Sequence, residues 1–227
     1  MIPLLFAALV AATPSSCPDV VTAEALVCHA LDAQKRGDTA AAAQAFEEAA
    51  KAAPENDPAA ARMWAAAGNL WIAADRAGRA AFALDKALAL PGLQAEQRGE
   101  ALLDRARAAE AQNDLKTARA KLNQAAASLS GDPFFWYFSA ALAIREKDAA
   151  AARAAIGKAL SLAPNDPLIL FEAGHVAHFG GDEAQARSYW MRAAAADPNG
   201  ATGKAAAKAV EMLGLTPTVQ SQVQPPK

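Results

Sequence analysis

The sequence is short of the bulky side chains that fill a globular centre: aromatics are 6% of its 227 residues, and Trp 4 and Tyr 2 are the counts. Protein interiors are close-packed, which argues against one large core built on aromatic layers. Excess positive charge is also missing, since Lys+Arg 22 against Asp+Glu 24 leaves a net charge of −2 without any basic run. That removes the electrostatic footprint of a nucleic-acid-binding surface. Cys 2 and His 3 offer no zinc-finger spacing. A glycine-rich phosphate loop and a Gly-x-Ser-x-Gly elbow are absent as well. Asp and Glu are scattered over helix exteriors, the ordinary solvated placement, so no acid–base pair stands out. His29 falls at a packing position without a nucleophile beside it. No catalysis and no cofactor are expected.

Long apolar runs are scarce too. The first stretch, Ile2 to Val10, is too short to span a bilayer but fits the apolar core of a secretory signal, with Val10-Ala11-Ala12 as small residues for cleavage. Residues 1–16 are therefore expected to be a signal peptide and linker. The chain would then be secreted or periplasmic, without stable membrane insertion after cleavage. An uncleaved N-terminal helix or a mis-assigned start, and a cytoplasmic location, form the alternative, because no Lys or Arg follows Met1. After export Cys17 and Cys28 could pair, tying the N-terminal segment to the first helix, or stay free thiols. Acylation of Cys17 is disfavoured, since Pro14 stands where the lipoprotein box expects a large aliphatic residue.

What the chain has is alanine, punctuated by Pro 13 and Gly 13. Alanine is the best helix former and lets helices approach closely. Asp132-Pro133 and Asp166-Pro167 lie one 34-residue period apart, as do Pro164 and Pro198. Ala152, Ile156 and Ala159 map in the same phase onto Ala186, Trp190 and Ala193. Each Asp before Pro, Asp57 included, reads as a helix N-cap followed by a first-turn proline. One unit is then helix, turn, helix.

On these residues the chain resembles the tetratricopeptide repeat family. That pattern has a large residue at position 4, Gly or Ala at 8, often Gly-Asp at 15 and 16, Ala at 20, a large apolar at 24, Ala at 27 and Pro at 32. From Pro167 the chain reads Leu170, Gly174, Gly181-Asp182, Ala186, Trp190, Ala193 and Pro198. From Pro133 it reads Trp136, Ala140, Ala152, Ile156, Ala159 and Pro164, and from Ala23 it reads Leu26, Ala30, Gly37-Asp38, Ala42, Phe46, Ala49 and Pro54. Two rougher units start near 61 and 99, each set off by about one extra helical turn. In the first of them Gly78 lies later than the usual turn glycine, so a displaced turn is expected.

The resemblance implies an all-α, right-handed solenoid of about five helix-turn-helix repeats over residues 17–213. Units start near 23, 61, 99, 133 and 167, a capping helix spans 201–213 and ends at Gly214, and 214–227 form a disordered tail. Trp64, Trp71, Trp136 and Trp190 fall on packing positions.

In this family the first helix of each unit lines a concave groove through positions 2, 5, 9, 12 and 13. Carried over, these give Arg62, Asn69, Arg107, Glu110, Phe134, Tyr137, Ala141, Ile144, Phe171, His175, His178 and Phe179. The implied function is a non-catalytic scaffold that holds a protein or peptide partner, in cell-envelope assembly for instance. Several of those rings serve equally well as packing between units. Asn69 matches one position of the family's carboxylate clamp, but Ala65 replaces its lysine, so that activity is not implied. Self-association through the aromatic end is one alternative. Metal binding through His175 and His178, with Glu172 three residues earlier, is another, weakened by helical drift and the want of a fourth ligand.

Overall fold

The computed structural model describes residues 17–54 and 56–215. The signal segment and most of the expected tail lie outside them. Every described element is a helix, and the chain divides between Leu93 and Gln94 into two compact units. The first holds α1 (Ala23–Lys35), α2 (Thr39–Ala52), α3 (Pro58–Ala73) and α4 (Ala77–Ala89). The second holds α5 (Ala95–Ala111), α6 (Leu115–Leu129), α7 (Pro133–Arg145), α8 (Ala149–Leu162), α9 (Pro167–Phe179), α10 (Glu183–Ala196) and α11 (Ala201–Leu215).

The small residues explain why these helices pair. Ala30, Ala42 and Ala49 in the first hairpin, Ala80 and Ala87 in the second, and Ala106, Ala118 and Ala125 in the third are each 0% exposed. The same holds for Ala140, Ala152 and Ala159 in the fourth and for Ala186 and Ala193 in the fifth. These are the positions at which the repeat pattern places small residues. Gly68 and Gly174 take the remaining two, and a Cβ on either would strike the partner helix, at Leu84 and at the Trp190 indole.

All five hairpins turn in one way. Gly37, Asp75, Asn113, Lys147 and Gly181 have φ of 75, 57, 62, 63 and 81°. Each donates its N–H to the carbonyl three residues back (Gln34, Ile72, Glu110, Ile144, His178) at 2.9 to 3.0 Å. The following residue donates to the carbonyl five back (Ala33, Trp71, Ala109, Ala143, Ala177) at 2.8 to 2.9 Å. This pair of bonds closes the helix C-terminus with a left-handed residue. The residue that ends the turn then caps the next helix: Asp38, Asp114, Asp148 and Asp182 accept from the N–H three positions on, whereas Arg76 makes no side-chain cap. Entry into α3, α7 and α9 uses Asp57, Asp132 and Asp166 ahead of a first-turn proline.

Several expectations change. The turn of the second hairpin is not displaced: Asp75 takes the left-handed position and Gly78 lies inside α4. α3 and α5 begin at Pro58 and Ala95, ahead of 61 and 99, and run 16 and 17 residues against 13 in α1, α7 and α9. The extra residues therefore lengthen the start of these helices and leave the packing phase intact. α11 continues past Gly214 to Leu215. Its Ala206, Ala209, Val210 and Leu213 cover Leu170, Ala177 and Trp190, while Lys204, Lys208 and Glu211 stay exposed. Trp64, Trp71 and Trp190 are buried, but Trp136 is only half-buried, its Nε1 donating to the Ser130 carbonyl at 2.8 Å. Trp136 still packs against a buried cluster, and the neighbouring Phe135 and Phe138 are buried.

Candidate partner-binding face

In the second unit, the first helices of its hairpins are α5, α7 and α9. Polar bonds fix α7 to its predecessors. Arg145 donates to Glu110 and, at 2.8 Å, to Asn113, which joins α7 to the end of α5. Arg119 on α6 forks onto the Glu146 carboxylate and reaches Ser139. With α7 held, Phe134 stacks on Tyr137 at a centroid distance of 5.3 Å, and the Arg107 guanidinium lies 5.5 Å from the Phe134 ring. Arg107 also pairs with Asp104 at 2.7 Å.

A second ring group sits on α9. Phe171 meets His175 edge-on at 4.5 Å, and His175 meets Trp190 at 5.4 Å. Trp190 Nε1 donates to the Phe171 carbonyl at 3.0 Å. Burial, then the nearby His178, lowers the His175 pKa from its ordinary value, so its imidazole is neutral near pH 7. His178 is exposed and shares a hydrogen with Glu183 at 3.0 Å. Phe134, Tyr137, Phe171 and His175 are all half-buried, neither core nor free surface.

Tyr137 packs against a buried cluster to which α7, α8 and α9 all contribute, Ile169, Ala173 and Val176 being the α9 members. Glu172 lies on that same α9 face and is itself buried. Burial pushes its carboxyl up to about 7. The Tyr137 phenol is raised from its usual value by burial first and by the Glu172 charge next. Buried acids were not expected, because Asp and Glu read as solvated helix exteriors. Glu47 departs from that pattern too: it is buried on α2 and accepts from Lys51, Trp71 and Arg79 at 2.7, 3.1 and 3.1 Å.

Of the site residues expected from sequence, the structure brings Arg107, Glu110, Phe134 and Tyr137 together, and Phe171, His175 and His178 around Trp190. Arg62 and Asn69 lie on exposed positions of α3, in the first unit. Among the described residues no three His, Cys, Asp or Glu side chains are grouped to hold a metal ion. Glu172 is buried while the exposed His178 engages Glu183, so the triad suggested by their spacing does not assemble. Cys17 and Cys28 form a disulfide, with Cα atoms 5.6 Å apart, and His29 Nε2 donates to the Pro18 carbonyl at 3.0 Å.

No protein-family profile and no curated protein matches the sequence. Solved structures do match. PilW, described as a widely conserved type IV pilus biogenesis factor, superposes with a TM-score of 0.67 at 19% identity, covering 81% of this chain and 81% of that one. YrrB, a tetratricopeptide repeat protein with an unusual peptide-binding site, gives 0.58 at 17% identity over 82% of this chain and 92% of that one. MamA from Desulfovibrio magneticus RS-1 gives 0.63 at 17% identity over 79% and 97%. The chain has the tetratricopeptide repeat fold. In this repeat fold the small residues at positions 8, 20 and 27 do what the burial shows. Position 15 needs a backbone conformation rather than a particular side chain, so the tetratricopeptide turn tolerates Asp75, Asn113 and Lys147 in place of glycine.

Proposed function

We propose that the face formed by α5, α7 and α9 holds an extended segment of a protein partner, and that the protein is a non-catalytic scaffold. The observation that carries this reading is the half-buried ring set, Phe134 on Tyr137 and Phe171 against His175, on the first helices of successive repeats. Aromatic side chains offer large contact area at low entropic cost, and binding hot spots are enriched in them. The peptide-binding site named for YrrB lends the fold-level analogy. A Tyr137→Ala, Phe171→Ala double variant, compared with wild type in co-purification from the native cell, tests it. Loss of the partner is expected, and undiminished recovery rejects the face.

The setting we propose is the cell envelope. The disulfide supports an oxidising compartment, the opening apolar segment fits export, and PilW is a pilus biogenesis factor. Mass spectrometry of the mature N-terminus is the check, with residues near Ala12 expected at the new end and an intact Met1 rejecting export. Self-association competes as a second reading, since Phe179, Met191 and Met212 expose apolar side chains. Light scattering across a concentration series separates the two, a constant monomer mass favouring the partner reading.

A further inference from the structure

The two buried glutamates differ in what answers their charge. For Glu47, burial works to raise the carboxyl, but hydrogen bonds from Lys51 and Trp71 and the charges of Lys51 and Arg79 hold it below the usual carboxylate value. Glu172 is 9% exposed, and among the described residues no group donates a hydrogen bond or an ion pair to it. No described side-chain oxygen is both unpaired and wholly shut off from solvent, so the Glu172 carboxylate keeps an opening to the outside. An unpaired buried carboxylate is costly unless a cation and donors reach it.

The cations Arg107 on α5 and Arg145 on α7 are already engaged. Arg107 pairs with Asp104 and lies over Phe134, and Arg145 is held by Glu110 and Asn113. His175, one turn on along α9, packs its ring between Phe171 and Trp190. Tyr137 on α7 is close enough for the Glu172 charge to act on its phenol, and an aromatic ring in that neighbourhood favours a cation. We infer that Glu172 is the counter-ion for a lysine or arginine side chain of a partner segment lying across α7 and α9. The inference rests on the proposed peptide-binding role of this face and names the chemistry of one contact. A basic side chain entering there recovers the desolvation cost of the carboxylate. A neutral or acidic one does not.

The test uses the full chain, immobilised, with three pools of blocked nonapeptides randomised except at the central residue. That residue is an equal mixture of lysine and arginine, norleucine, or glutamate. At pH 8 the basic pool is expected to be retained roughly tenfold more tightly than the norleucine pool, the scale of one good buried charge pair. In Glu172→Gln that advantage should vanish while the norleucine pool is retained as before, which shows the face intact. Equal retention of the basic and norleucine pools, or an advantage that persists in the variant, overturns the inference. If the Tyr137→Ala, Phe171→Ala protein loses the norleucine pool while wild type shows no charge preference, the face survives and only the cation contact falls. Retention of no pool by wild type overturns both.

Discussion

Glu172 has a consequence for stability as well as for binding. Its carboxyl ionises near 4.5 in an unfolded chain and at about 7 in the folded one. Between those values the folded state binds the extra proton, so stability falls as pH rises through the window and is fully retained only below it. Glu172→Gln should therefore flatten the pH dependence between pH 5 and 8. At pH 8 it should stabilise the protein by about 1–3 kcal/mol, read from urea denaturation. Glu47 has the opposite sign. Its lowered carboxyl contributes above the unfolded value and loses that contribution as pH falls through the folded one. Glu47→Ala leaves the Trp71 indole N–H unanswered and removes the partner of Lys51 and Arg79, so a loss of about 2 kcal/mol is expected by the same measurement at pH 7.

At the scale of the element, the turns and the close approaches decide the hairpins. Lys147 sits at φ 63°, which is strained for a residue carrying a Cβ. Lys147→Gly should raise stability by about 0.5–1 kcal/mol even though glycine costs more entropy on folding. Arg76 is the only turn-ending residue among the five hairpins that is not an aspartate, and Arg76→Asp should gain about 1 kcal/mol by capping α4. Gly174→Ala has the reverse outcome, since its Cβ would come within 2.2 Å of the Trp190 indole nitrogen. A loss of about 1–3 kcal/mol in a thermal or urea melt is the expectation. The helical hairpins were legible in the sequence because alanine, proline and Asp-Pro recur in phase. The turn at Asp75 was not, because a glycine was sought where the backbone accepts any residue that tolerates the left-handed region. Trp136 does pack against a buried cluster but is only half-buried, while Phe135 and Phe138, one residue before it and two after, are buried.

At the scale of the whole molecule, two units share one construction, small residues buried where paired helices meet and left-handed turns closing each first helix. Repeat units of this kind hide their apolar sides only by stacking on neighbours, and α11 does so for the last hairpin. The rings of the candidate face could be placed on the first helices from sequence, since that follows from phase alone. Their half-burial and the unpaired Glu172 could not, because both depend on how α7 and α9 close against each other. The function proposed lives on that closure. Its most direct measurement is photo-crosslinking in the native cell, with a benzophenone side chain placed at Ala141 on α7 or, as control, at the exposed Lys158 on α8. The account predicts a discrete protein adduct from position 141 and none from position 158. No adduct from 141, or the same adduct from both, would contradict it.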